Sequence, residues 1–394
     1  MLAPHTRTHR PIMLVFARFY FFAVLSCTFG YTSAISYTDV FVSVNAGGQE
    51  HPPCYRPPAL LSVNLSTLLA FSTGRNKTGA SKTLCSDPGD GSPNYICLKR
   101  SKDNGKTFQP IQILFGGSGN MQPDFYIVYY EKESLSVVVI FQTKKSLFSM
   151  RSQDEGSTWS RPEPFTVKYD EAVFESVGPS VGKGISDLGN GTILLPFICS
   201  SYSDKSSLQG DKGACPMCHS CIVRYDRETS SWNVAAIAMS GTRESQLAAF
   251  SMTEKDRSTL IVSTERNMGK RPGHRFEAFS NDTGRSFFNQ HLTNVPEPST
   301  KNWTGIKSGL SIHNNKVLIQ SHPNSTRIRK DLVLSVSKDR GKSWEVGKFL
   351  IFRGPSGYSD LTMVNKSHIG VLFERGTRAY ADKISLVLFD GRAL

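Results

Sequence analysis

The chain has 394 residues, 39% of them hydrophobic and 20% charged, with 32 glycines and 20 prolines spread along it. That mixture suits one large globular body that grows by repetition and not by thickening a single core. A net charge of +13 suits an acidic partner, but no basic run interleaved with aromatics points to nucleic acid.

Residues 1–34 read as a targeting segment. Arg7, Arg10 and Arg18 precede the apolar run 19–29, and Thr32-Ser33-Ala34 offers a small-residue cleavage site. Arg18 interrupts the apolar stretch, so a signal peptide is expected, with an uncleaved anchor and membrane association as the alternative. No later segment is long enough to cross a bilayer, and residues 35–394 are expected to form a single domain.

Seven Asn-x-Ser/Thr sequons, at Asn64, Asn76, Asn190, Asn281, Asn302, Asn324 and Asn365, agree with the secretory route, lysosomal or secreted. Seven cysteines follow the leader: Cys54, Cys85, Cys97, Cys199, Cys215, Cys218 and Cys221. In an oxidising compartment an odd count leaves one thiol over, single or paired between chains. Cys215-Pro-Met-Cys218-His-Ser-Cys221 has a spacing that zinc could use, with His219 inside it. No matching second cluster accompanies it, and a disulfide-stapled loop is the favoured reading.

After the leader, residues 37–44 read as a strand. Apolar-rich or alternating runs follow at 60–71, 96–99, 127–130, 135–141, 193–198, 221–224, 259–263, 316–321, 332–336, 368–373 and 384–389. No stretch of any length has helical period, and the fold class is all-β.

Four octapeptides punctuate these runs: Ser101-Lys-Asp-Asn-Gly-Lys-Thr-Phe108, Ser152-Gln-Asp-Glu-Gly-Ser-Thr-Trp159, Ser280-Asn-Asp-Thr-Gly-Arg-Ser-Phe287 and Ser337-Lys-Asp-Arg-Gly-Lys-Ser-Trp344. Each is expected to be a hairpin turn. The Asp accepts N–H bonds from a residue or two ahead, the Gly supplies positive φ, and the aromatic starts the next strand and packs on the sheet. The first two copies start 51 residues apart and the last two 57 apart; the 128-residue gap between holds a decayed copy, Tyr225–Trp232, without the Gly. A period of roughly 50–60 residues, rich in short strands, is that of propeller blades. About 350 residues then make about six blades, with the strand at 37–44 closing the ring beside C-terminal strands.

A propeller gathers loops from every blade at one end of its axis. Arg56, in Cys54-Tyr-Arg-Pro-Pro-Ala-Leu-Leu61, leads into the first blade; Arg266, in Ser263-Thr-Glu-Arg-Asn267, closes a strand of a middle blade; Arg329, in Arg327-Ile-Arg-Lys-Asp331, opens a late strand. Three guanidinium forks around one point would hold a carboxylate with permanently charged, bidentate bonds that lysine cannot reproduce.

These segments carry a family resemblance over residues 37–394. Tyr-Arg-Pro-Pro-Ala-Leu-Leu at 55–61, followed by Leu68-Leu-Ala-Phe71 and Arg75, resembles the start of sialidases, and the octapeptides resemble that family's Asp-boxes. Gly354-Pro-Ser-Gly-Tyr358-Ser-Asp-Leu361 and Val371-Leu-Phe-Glu374-Arg-Gly376 resemble the nucleophile segment and closing strand of animal sialidases, the lysosomal ones above all. The resemblance implies an arginine triad of Arg56, Arg266 and Arg329 on the sialic acid carboxylate. It further implies Tyr358 as nucleophile, Glu244 in Arg243-Glu-Ser-Gln-Leu247 as its base, Asp90 as a mobile acid/base, and Glu374 as the carboxylate steadying Arg56. No cofactor or metal enters that chemistry.

The implied reaction is hydrolysis of terminal α-linked sialic acid from glycoproteins, glycolipids or oligosaccharides, with retention. A neutral phenol can approach an anomeric carbon that bears its own carboxylate, where a carboxylate nucleophile would be repelled. Tyrosine, with a reference pKa of about 10, needs a base to become nucleophilic. Two departures stand out: Ala70-Phe71-Ser72-Thr73 lacks the family's carboxylate at 73, and Pro57 directly follows Arg56. Loss of that carboxylate is expected to alter arginine positioning. A sialic-acid-binding lectin that has lost turnover, or a transferase of the sugar, are the alternatives.

Overall fold

The computed structural model of the chain describes residues 1, 35–44, 51–76, 93–117, 119–123, 125–144, 146–186, 188, 191–202, 217–250, 261–267, 273–300 and 303–394, with the backbone alone at 261–267, 300 and 303–304. Residues 2–34 of the leader, residues 77–92 with Cys85 and Asp90, and Asn190, Cys215 and Asn302 lie outside the described residues.

Among the described residues, antiparallel sheets follow one another along the chain. The first joins Tyr55–Ser62, Leu68–Arg75, Asn94–Ser101 and Gln112–Gly117; the second Tyr126–Glu131, Ser136–Gln142, Leu147–Ser152 and Glu163–Pro164. The third joins Phe174–Pro179, Leu194–Ser201, Cys218–Asp226 and Ser231–Ser240; the fourth Thr242–Ala249, Ile261–Asn267, His274–Ser280 and Phe288–Pro296. The fifth begins with Gly309–His313, Val317–Pro323 and Lys330–Ser337. The 19-residue strand Glu345–Met363 serves two sheets: its first half pairs with Lys330–Ser337 and its second with His368–Arg375. The last sheet continues through Lys383–Asp390 to Thr38–Val42, so the expected ring-closing strand is in place.

Alternation puts one row of side chains on each face of a strand, and in inner strands such as Leu68–Arg75, Ser136–Gln142 and His368–Arg375 both faces are buried because neighbouring sheets cover both sides. The core is therefore a series of layers between consecutive sheets. Leu69, Phe71 and Leu98 of the first sheet meet Val128, Val139 and Phe141 of the second, and Ile127 and Ile140 of the second meet Leu195 and Phe197 of the third. The series closes where Leu372, Ile384 and Leu386 of the last sheet pack against Leu60, Leu68 and Ala70 of the first. A cycle of contacts links the sheets: Tyr55–Ser62 contacts Tyr126–Glu131, which pairs with Gly182–Lys183 of the segment between the second and third sheets; this contacts Thr242–Ala249, which meets Gly309–His313, then Glu345–Met363 and Tyr55–Ser62 again.

The four Asp turns are held by bonds within themselves. In each, the Ser hydroxyl donates to the Asp carboxylate at 2.8 Å and accepts the Gly N–H at 2.7–2.9 Å. The expected carboxylate partners are corrected: the consistent donors are the backbone N–H and hydroxyl four residues on, Thr107, Thr158, Ser286 and Ser343. Two successive left-handed residues curl the chain that far. Asn104, Glu155, Thr283 and Arg340 have φ of 58–61°, and the glycines after them 80–88°. The aromatics precede the next strand and sit in the layer shared with the preceding sheet, Trp159 against the first and Trp344 against the fourth. Trp232 of the decayed copy does the same against the second.

Cys199 and Cys221 form a disulfide between neighbouring strands, and Cys54 and Cys218 are also disulfide-bonded. Two sulfurs of the Cys215–Cys221 stretch are thus committed to disulfides, as the stapled reading expected, and Cys97 is a buried thiol.

Candidate active site

Three irregularities in strand pairing mark one end of the ring. The register shifts between Tyr55 and Pro58, between Arg243 and Gln246, and between Ser356 and Ser359. Arg56, Glu244 and Tyr358 lie within these shifts, and Glu244 has a φ of 60°. Such bulges re-aim a side chain that regular alternation would direct elsewhere.

The result brings groups from distant parts of the sequence together. Arg56 Nε donates to Glu374 Oε1 at 2.8 Å and Nη2 to Oε2 at 3.3 Å, with the two residues 4% and 0% exposed. Burial opposes the guanidinium charge, but Glu374, with Tyr380 and Tyr358 nearby, more than offsets it and holds Arg56 above its ordinary pKa. Glu374 Oε2 also accepts the Tyr358 N–H at 3.0 Å, so one carboxylate fixes both the arginine and the tyrosine backbone. The Tyr358 hydroxyl donates to Glu244 Oε1 at 3.3 Å. The Arg56 and Arg329 guanidinium carbons each lie 5.0 Å from the centroid of the Tyr358 ring.

Arg266 is placed by its backbone: it pairs with Arg243, the residue before Glu244, at the end of Ile261–Asn267. Asp90 lies outside the described residues, as does most of the loop around it. Thr73 is buried, and its hydroxyl oxygen has no hydrogen-bond partner among the described residues. The Arg56–Glu374 pair stands without a carboxylate at 73.

Two features escaped the sequence. Tyr380, between the last two long strands, has its ring centroid 4.9 Å from the Arg56 guanidinium carbon and 4.8 Å from that of Arg329. Beneath the site lies a buried polar plug. Asp360, two residues past Tyr358, accepts the Leu60 N–H at 2.9 Å and faces Lys183 Nζ at 3.2 Å and Lys307 Nζ at 3.7 Å. Lys307 donates to the Pro58 carbonyl at 2.5 Å. Burial pushes its ammonium below the ordinary lysine value, while Asp360 and Glu244 pull the other way. The only sequence signal for the plug is a charged residue inside an inner strand; for Tyr380 there is a lone aromatic in a polar loop.

Electrostatically, the cluster offers guanidinium forks for a small acid and a phenol–carboxylate couple beside them. Among the described residues no group of His, Cys, Asp and Glu side chains is arranged to hold a metal ion.

The sequence profile of the BNR repeat-like domain family matches residues 125–371. A sialidase of Bacteroides fragilis is 25% identical over 370 residues, covering 84% of this chain and 62% of that protein; the chain thus spans about three fifths of the relative's length. Mouse Sialidase-3 is 23% identical over 400 residues, covering 85% and 91%. Among solved structures, the Hadza microbial sialidase Hz136 superposes with a TM-score of 0.69 at 22% identity, covering 87% of this chain and 67% of that one. The fold is accordingly an all-β propeller of the kind seen in sialidases.

Proposed function

The chain belongs to the BNR repeat-like domain family, and on that footing we propose that it is an exo-α-sialidase acting on terminal sialic acids of glycoproteins, glycolipids or oligosaccharides. The observation that carries the reading is the hydrogen bond from the Tyr358 hydroxyl to Glu244, beside two arginines that share the Tyr358 ring. The closed cycle of contacts from Tyr55–Ser62 through Tyr126–Glu131, Gly182–Lys183, Thr242–Ala249, Gly309–His313 and Glu345–Met363 supports a count of six blades.

In the proposed reaction Arg56, Arg266 and Arg329 bind the substrate carboxylate. Glu244 takes the Tyr358 proton as the phenolic oxygen bonds to the anomeric carbon, and the bond from that carbon to the leaving oxygen breaks as Asp90 protonates it. Water, deprotonated by Asp90, then attacks the same carbon; the Tyr358–sugar bond breaks and Glu244 returns the proton to the phenolate. Two inversions give retention. The leader and the sequons support a secretory location, with an uncleaved leader as a route to membrane association.

The test is release of a fluorescent aglycone from a sialoside, with the anomer first formed followed by NMR. The wild-type chain is expected to turn over and yield the retained sugar, and Tyr358→Phe and Asp90→Asn to lose most of that rate. Tight sialoside binding without release would instead favour a lectin, and formation of sialyl-lactose in the presence of lactose a transferase.

A further inference from the structure

Two like-charged guanidinium groups that must converge on one small anion repel each other while the site is empty. Arg56 is anchored by Glu374. A second contact common to Arg56 and Arg329 is the ring of Tyr380, 4.9 Å and 4.8 Å from their guanidinium carbons. An aromatic face carries negative potential and attracts a cation stacked on it, and stacking itself uses none of the guanidinium N–H donors, which lie in the plane of the group.

The loop that carries Tyr380 is built to hold it still. Gly376 N–H donates to the Pro355 carbonyl at 3.1 Å, Thr377 N–H to Asp382 Oδ2 at 3.2 Å, and Ser43 bonds the Ala381 and Asp382 carbonyls at 3.1 and 2.9 Å. The ring packs beside Cys54 and Ala381, and a β-carbon on Gly357 would lie 3.1 Å from its Cδ2. Its hydroxyl makes no hydrogen bond among the described residues, so the ring face is the part in use.

We propose that Tyr380 is a positioning residue, which holds Arg56 and Arg329 as a pair aimed at the carboxylate of the substrate. The inference rests on the sialic-acid reading of the site. It assigns Tyr380 no proton transfer and no bond to the sugar.

The experiment measures calorimetric binding of the 2,3-unsaturated analogue of sialic acid and of its methyl ester to the wild-type chain, Tyr380→Ala, Tyr380→Leu and Tyr380→Phe, alongside kcat and KM. Tyr380→Ala is expected to weaken binding of the acid about tenfold or more and of the ester about twofold or less. KM should rise in proportion while kcat changes by about threefold at most, and Tyr380→Phe should restore affinity for the acid to within about twofold. If Tyr380→Ala does not fold, Tyr380→Leu, closer in volume, is read by the same criteria. Undiminished binding of the acid by the variant, or equal weakening of acid and ester, overturns the proposal. A wild-type chain that binds neither compound overturns the sialic-acid reading itself, and this inference with it.

Discussion

Gly357 and Glu374 fit together only because the first has no side chain: a β-carbon at 357 would collide with Glu374 Oε2. That oxygen accepts the Tyr358 N–H and one of the two Arg56 bonds. Gly357→Ala must therefore displace the carboxylate that sets both groups. A shift of about 1 Å in such a site costs on the order of 100-fold in rate. The expected outcome is a loss of that size in kcat/KM with the melting temperature lowered by only a few degrees, checked by sialoside kinetics and calorimetry.

Removing the charge of Glu374 strands a buried guanidinium. Glu374→Gln is expected to destabilise the fold by about 3–5 kcal/mol in urea titration. The paired replacement Arg56→Met with Glu374→Leu should recover most of that stability while leaving sialoside turnover absent, because the cost lies in the unpaired charge and not in the loss of contact area.

The Asp turns predict an acid-sensitive ring. Slight burial opposes ionisation of Asp154, but the Thr158 hydroxyl and N–H, with Ser152 and Ser157, outweigh it and hold the pKa at about 2; Asp103, Asp282 and Asp339 are lowered likewise. A carboxylate lowered by folding adds stability that is fully present above its unfolded value of about 3.9 and is lost as pH falls through the folded one. Wild-type stability should decline between pH 4 and pH 2 (about the interval between the two values). Asp154→Asn should start lower at pH 5 and decline less steeply, as read from denaturant midpoints.

A different interval belongs to His322. Burial, with Arg275 adding repulsion, lowers its pKa to about 4. A neutral ring fits its surroundings, Nδ1 facing the Pro323 carbonyl at 3.0 Å and Nε2 the Ser335 hydroxyl at 2.6 Å. The unfolded chain takes up this proton near pH 6.5 and the folded chain does not until about pH 4, so stability falls as pH drops between them, by on the order of 3 kcal/mol in all. His322→Gln should flatten the stability curve across that interval and leave the steeper decline below pH 4 in place.

Legibility in the sequence followed the locality of the cause. The Asp turns were visible because every partner of Asp103 or Asp339 lies within eight residues of chain; what was missed was the second left-handed residue, since Asn, Glu, Thr and Arg at that place share no side-chain signature. Why glycine stands at 357 is plain only with Glu374 in place, because the carboxylate that excludes a β-carbon there comes from another strand. Tyr380 and the Lys183–Asp360–Lys307 plug were hidden because their meaning depends on strands from opposite ends of the chain meeting at the axis. Arg56, Glu244 and Tyr358 were named by motif, but the bulges that re-aim them follow from pairing register, which single-strand patterns do not encode.

Pairing of Thr38–Val42 with Lys383–Asp390 has a consequence for biosynthesis. The strand Thr38–Val42 waits, with its hydrogen-bonding edge unsatisfied, until residues 383–390 have been made. Asp39, which receives Arg375, Lys383 and Ser385, then acts as the clasp of that pairing. A nascent chain halted before residue 383 would leave that clasp open and the first strand exposed to chaperones.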